Sequence, residues 1–223
     1  MKKLVNMVGA TIDSKGTEMP SKVKFVIGML AFTVVLRLLP YFLTTYNVTL
    51  NPTVIYYPWH FMPMMAICLY SGAYLADRRW AVGLPLIGLF VSDLSIWAMT
   101  GNFSWAFQGD RWSAYVCYLL AAMMGAGLNR RSWPARGVDA FTRGVLAEVL
   151  FFVVTNFVYF CIQSDLPHSL AGLYTCYLNA IPFAGQAFLS TAFYSVLVFS
   201  PLVVRTKEMA LAGKPELQSS MAR

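Results

Sequence analysis

The chain is expected to be all-α: a bundle of six transmembrane helices with both termini in the cytoplasm. Three observations predict it. The composition is 58% hydrophobic and only 12% charged, against about 25% charged in a soluble domain. Six long apolar segments alternate with short connections, and Lys and Arg fall almost wholly in every second connection. An apolar run of about 20 residues crosses the hydrocarbon as a helix, because lipid offers no partner to free backbone N–H and C=O groups.

The elements follow in order. Residues 1–21 are polar and mixed, a cytoplasmic tail. The first span covers 22–43. It reads as a retained helix and not a cleavable signal, being long, containing Arg37 and lacking a nearby small-x-small site. An uncharged outer loop with Asn51, Pro52 and Pro58 fills 44–58. The second span covers 59–76, and Asp77-Arg78-Arg79 makes a tight inner turn. The third covers 80–99, followed by an outer loop over 100–111. The fourth, 112–128, is the shortest. An inner loop over 129–142 carries Arg130, Arg131 and Arg136. The fifth span covers 143–163. The outer loop 164–180 leaves room for a short interfacial helix over 170–178. The sixth span covers 181–204, and 205–223 is a second polar tail. The membrane domain is thus 22–204.

Fifteen of the 17 Lys and Arg lie in the tails, at the inner ends of spans or in inner connections. The outer loops hold Arg111 alone, and Arg37 sits inside a helix. That asymmetry puts both termini inside. Trp59, Trp80, Trp112 and Trp133 lie near span ends, as an interfacial belt requires. The net charge of +7 does not signal nucleic acid, because the basic residues leave no basic face; anchoring at a cytoplasmic, anionic lipid surface accounts for them.

Several chemistries find no support. Cys68, Cys117, Cys161 and Cys176 form no C-x-x-C pair, and His60 and His168 are the only histidines. No zinc site, haem site or other cofactor is expected. Cys161 and Cys176 both lie toward the outer face, as a disulfide or as two free thiols. The absence of G-x-x-x-x-G-K-[ST], H-E-x-x-H and G-x-S-x-G removes P-loop and common hydrolase chemistry. The chain is expected not to be an enzyme.

Three ionisable residues fall inside spans: Arg37, Asp93 and Glu148. Each costs about 2.5–3.5 kcal/mol on insertion scales, so each needs a partner or a wet cavity. At about 1.5 Å per residue, Arg37, Asp93 and Asn156 lie within roughly 3 Å of one level in the outer half of the membrane. They form either a polar pocket opening outward or a structural ion pair with Asn156 as interhelical glue. Glu148 lies about two turns deeper and is expected to meet Arg143 or Arg136. Aromatics gather on the outer side, among them Tyr56, Tyr57, Trp59, Trp97, Phe103, Trp105, Tyr159, Tyr174 and Tyr177. They read as pocket walls or as the outer belt. Gly28, Ala31, Gly72, Gly83, Gly88, Ala121, Gly125 and Gly127 allow close helix approach, inside the bundle or against another subunit.

Longer strings carry a resemblance. Arg37-Leu38-Leu39-Pro40, Phe61-Met62-Pro63 leading to Leu69-Tyr70-Ser71-Gly72-Ala73-Tyr74, and Leu84-Pro85-Leu86 followed by Ser92-Asp93-Leu94 resemble the front half of a bacterial family of uncharacterised six-span proteins assigned to transport. Phe151-Phe152-Val153-Val154-Thr155-Asn156-Phe157, Ala171-Gly172-Leu173, Cys176-Tyr177 and Ala180-Ile181-Pro182-Phe183 resemble its back half. The match spans about residues 35–200 in order and spacing. More distantly, that family resembles the substrate-binding S components of energy-coupling factor (ECF) transporters. The resemblance implies a multi-pass protein of the bacterial inner membrane with an outward-facing pocket for a micronutrient. It also implies a transmembrane coupling subunit and ATPases on other chains. One departure is His60, where the family pattern leads one to expect Asn before Phe-x-Pro, so the ligand's identity does not carry over.

The leading expectation is therefore a substrate-binding subunit of a micronutrient importer. Its small-molecule ligand would be held by Arg37, His60, Asp93, Trp97, Asn156 and Tyr177. The alternative is a structural or assembly subunit of a larger membrane complex, with the small-residue faces as its contacts.

Overall fold

The computed structural model describes residues 21–48, 61–162 and 164–204. The two polar tails, apart from Ser21, fall outside the described residues, as does most of the first outer loop. His60, Tyr56, Tyr57 and Trp59 lie there too, so those expectations stay where the sequence left them.

The described residues are helical and contain no strand. The helices are α1 (Ser21–Thr45), α2 (Met64–Tyr74), α3 (Arg78–Thr100), the short α4 (Phe103–Ala106), α5 (Arg111–Met124), α6 (Ala135–Ile162) and α7 (Leu170–Phe199). A single 3-10 turn, Leu128–Arg130, joins α5 to α6. Four of them, α1, α3, α6 and α7, are long and apolar enough to cross a membrane. Their outward faces carry exposed Phe32, Val35, Phe90, Val91, Leu146, Val149, Phe157 and Leu189, an apolar exterior that suits a membrane protein.

The expectation of six full-length spans is corrected here. Helix α2 has 11 residues and α5 has 14, about 16 and 21 Å against a hydrocarbon core of about 30 Å. Both shortfalls have local causes. Pro63 has no N–H and disfavours helical geometry at Met62, so α2 starts after it. Gly127 takes a left-handed φ of 84° and ends the α5 segment ahead of residue 128.

Two helices are longer than expected. Helix α6 starts at Ala135, inside the expected inner loop, where Asp139 and Arg143 pair one turn apart. Helix α7 starts at Leu170, absorbing the expected interfacial helix and continuing through Pro182. Ser169 sets its start by accepting the Gly172 N–H at 3.2 Å. Helices α1 and α3 also carry internal prolines, Pro40 and Pro85. Membrane helices tolerate these where neighbours re-satisfy the freed carbonyls.

Helix α2 is the centre of the bundle. It touches α1, α3, α5, α6 and α7, while α1 and α7 make no direct contact among the described residues. Aromatic rings on α2 bridge that gap: Tyr70 meets Phe25 of α1 at 4.9 Å and Phe199 of α7 at 5.8 Å. Glycine lets α2 and α5 cross closely. A Cβ at Gly72 would stand 1.7 Å from the Ala122 carbonyl oxygen, and one at Gly125 would stand 2.0 Å from that of Leu69. Gly28 and Gly83, by contrast, face open space.

This contrast makes a prediction. Gly72→Ala and Gly125→Ala force backbone apart and should each destabilise the protein by about 1–3 kcal/mol or more. Gly28→Ala and Gly83→Ala should be neutral or stabilising by up to about 1 kcal/mol, since alanine favours helix. Thermal unfolding of the four variants in detergent reads the difference; equal effects in all four would refute the close crossing.

Candidate functional site

Helices α1, α3 and α5 each contribute to one buried polar cluster. Asp93 on α3 is fully buried. Its Oδ1 accepts from Arg37 Nη2 of α1 at 2.5 Å, and its Oδ2 accepts the Tyr115 hydroxyl of α5 at 2.6 Å. Arg37 Nη1 also donates to Ser92 Oγ at 3.1 Å. Both carboxylate oxygens are thus engaged by charge-assisted bonds, as a buried charge demands. The shared depth of Arg37 and Asp93 follows from two parallel helices that start at the same end of the bundle. Leu30 packing on Gly88 sets that register two turns earlier.

Beside the cluster lies a cavity of about 130 Å³. Its polar lining includes Arg37, Ser92, Thr33, Arg111 and Tyr118; Leu30, Leu89 and Phe151 are among its apolar walls. Arg111 opens α5 and is steadied by its Nε donating to Ala106 O at 3.3 Å. No carboxylate among the described residues pairs with it. The lining therefore holds two guanidiniums, of which Asp93 neutralises one.

A second cavity of about 260 Å³ lies between α6 and α7. Glu148, Thr155, Asn156, Phe152 and Phe183 line it, and Phe151 lines both cavities.

Of the six residues expected to bind ligand, Arg37 and Asp93 come together. Asn156 faces the second cavity, its Nδ2 donating to Phe152 O of its own helix at 2.7 Å. Tyr177 donates to Val153 O at 2.7 Å and packs on Phe152 with ring centres 5.6 Å apart, tying α7 to α6. Trp97, 43% exposed, stands edge-on to Phe103 at 5.6 Å and lines neither cavity. His60 is outside the described residues. Trp105, Tyr159 and Tyr174 are likewise exposed, as belt residues are.

Glu148 does not meet Arg143 or Arg136. Its Oε2 accepts the Thr191 hydroxyl of α7 at 2.8 Å. Five residues along a helix turn the side chains well apart, so Arg143 points elsewhere. It donates to Met124 O and Ala126 O at 2.7 and 2.9 Å, and Arg136 donates to Phe199 O at 3.1 Å. The two arginines close the carbonyl ends of α5 and α7, where the helix dipole favours cations.

Ser92, Tyr115 and Phe151 were not among the expected site residues, and Arg111 counted only as a loop charge. The signal was present for α5: Arg111, Tyr115 and Tyr118 recur at i, i+4 and i+7, one polar-edged stripe. Cys161 and Cys176 are free thiols, Cys161 exposed and Cys176 buried. Among the described residues no three His, Cys, Asp or Glu gather to hold a metal ion.

The model of a protein family described as "Family of unknown function (DUF6580)" matches residues 18–212. Neither a curated protein nor a solved structure matches the chain.

The cluster predicts a specific pattern of stability. Arg37→Met leaves Asp93 buried and unpaired and should cost about 3–5 kcal/mol. Tyr115→Phe removes one bond to it and should cost about 1–3 kcal/mol. Combining Arg37→Met with Asp93→Leu should recover most of the first loss. A denaturation-based double-mutant cycle checks this, and simple additivity of the two substitutions would contradict the pairing.

Proposed function

The chain belongs to the DUF6580 family, whose function is unknown, and from that premise we propose that it is a membrane subunit capturing a small organic anion. In this reading six segments cross or fill the bundle, both termini are cytoplasmic, and the membrane is a bacterial inner membrane. The protein resembles an S component, with a coupling subunit and ATPases on other chains turning capture into import of a micronutrient.

The observation that carries the reading is the cavity flanked by Arg37 and Arg111. Arg111, half-buried at the mouth of this cavity with no carboxylate partner among the described residues, is a donor that an incoming anion would satisfy. Guanidinium forks match carboxylates and phosphates. Size narrows the class: about 130 Å³ is close to the roughly 150 Å³ that holds benzene. A ligand of one small ring or a short chain fits, and a large vitamin does not.

Orientation supports capture from outside. Lys22, Lys24, Arg78, Arg79, Arg130, Arg131, Arg136 and Arg143 lie at or near the ends where α1, α3 and α6 begin. By the positive-inside rule that end is cytoplasmic. Arg111 begins α5 at the opposite end.

The alternative, a structural or assembly subunit, has one observation in its favour. A wholly apolar groove of about 400 Å³ runs between α1 and α3, lined by Ile27, Ala31, Leu84 and Val91 among others.

Native mass spectrometry of the gently extracted protein separates the two. Capture predicts a bound small anion on the wild type that is lost from Arg111→Ala while the fold survives, with Arg111→Lys intermediate. A stable assembly with other membrane chains and no small molecule would favour the structural reading instead.

A further inference from the structure

The cavity between α6 and α7 has a chemistry opposite to that of the arginine-lined one. Its charged member is Glu148, 6% exposed, which accepts the Thr191 hydroxyl at 2.8 Å. No Lys, Arg or His among the described residues pairs with this carboxylate. The two other polar side chains of the lining each give a hydrogen to their own helix backbone. Thr155 gives its hydroxyl proton to Phe151 O at 2.7 Å, and Asn156 turns its amide nitrogen to Phe152 O at 2.7 Å. The oxygens Oγ1 of Thr155 and Oδ1 of Asn156 therefore remain as acceptors. Three phenylalanines, Phe151, Phe152 and Phe183, and three alanines, Ala184 among them, complete the wall.

We propose that this cavity is a second binding site, and that it takes an organic ammonium group held by Glu148 and walled by the three phenylalanines. An anion is repelled by the carboxylate. A bare metal ion needs six or so oxygen ligands, which this lining does not offer. An alkylated ammonium suits both halves of the lining. Its charge pairs with Glu148, its N–H groups meet the acceptor oxygens, and its carbon surface and charge lie against aromatic faces. The volume, about 260 Å³, is twice that of the arginine-lined cavity and admits a small amine. The inference does not rest on anion capture, since it uses neither Arg37 nor Arg111.

The test uses the intact chain in detergent, with n-butylammonium chloride as probe and sodium chloride at equal concentration as control. Calorimetry or a thermal shift should show saturable binding of the ammonium to the wild type. Affinity should fall at least tenfold in Glu148→Gln, which keeps an acceptor for Thr191 but removes the charge. Ala184→Phe fills the cavity without touching a charge and should abolish binding; it decides the matter if the Glu148 variant fails to fold. Arg111→Ala should bind as the wild type does. No saturable binding to the wild type, or undiminished binding in either cavity variant, overturns the proposal. Loss of binding in Arg111→Ala overturns it too, because binding would then depend on a residue outside this cavity.

Discussion

Nine of the 11 residues of α2 are buried, and the helix packs against α1, α3, α5, α6 and α7. The bundle depends on that enclosure. Lipid is as apolar as a leucine side chain, so no hydrophobic drive gathers membrane helices; close packing must do it. Gly72 and Gly125 supply the packing by letting the α2 and α5 backbones touch at Ala122 and Leu69. With α2 fixed, α1 and α3 lie side by side on one flank and α6 and α7 on another. The gap between α1 and α7 is bridged from within by Tyr70 and its aromatic neighbours.

Enclosing α2 also decides where space remains. The short helices α2 and α5 cannot fill the full depth of a bundle whose four long helices run 23 to 30 residues. One cavity forms beside the Arg37–Asp93–Tyr115 cluster, the other between α6 and α7. Phe151 is the wall they share. The first presents guanidinium donors, the second a carboxylate and acceptor oxygens. The two cavities thus differ in the charge of their linings.

Several side-chain roles turn on which face of a helix a residue occupies. Arg37 and Asp93 were legible as partners because both sit at the same depth on parallel helices, and a buried charge requires an opposite one. Glu148 was misread toward Arg143 because nearness in sequence was taken for nearness in space. The arginines near α6's start serve the carbonyl ends of α5 and α7 instead. Tyr177 and Trp97 were grouped with the pocket by their outer level alone. Level along the membrane normal is readable from helix position; rotation about the helix axis is set by the neighbours.

By itself the sequence determined the helical class, the approximate segments, the single basic end and the shared depth of Arg37 and Asp93. Those follow from hydropathy, charge asymmetry and depth, which are properties of one helix at a time. Tertiary structure alone decided that α2 and α5 are short, that Tyr115, Ser92 and Arg111 complete the first site, and that Asn156 belongs to a second. The physical reason is that lipid and protein interior are equally apolar. An apolar segment reads the same whether it faces hydrocarbon or five other helices, so enclosure, cavities and side-chain direction emerge only when the helices pack.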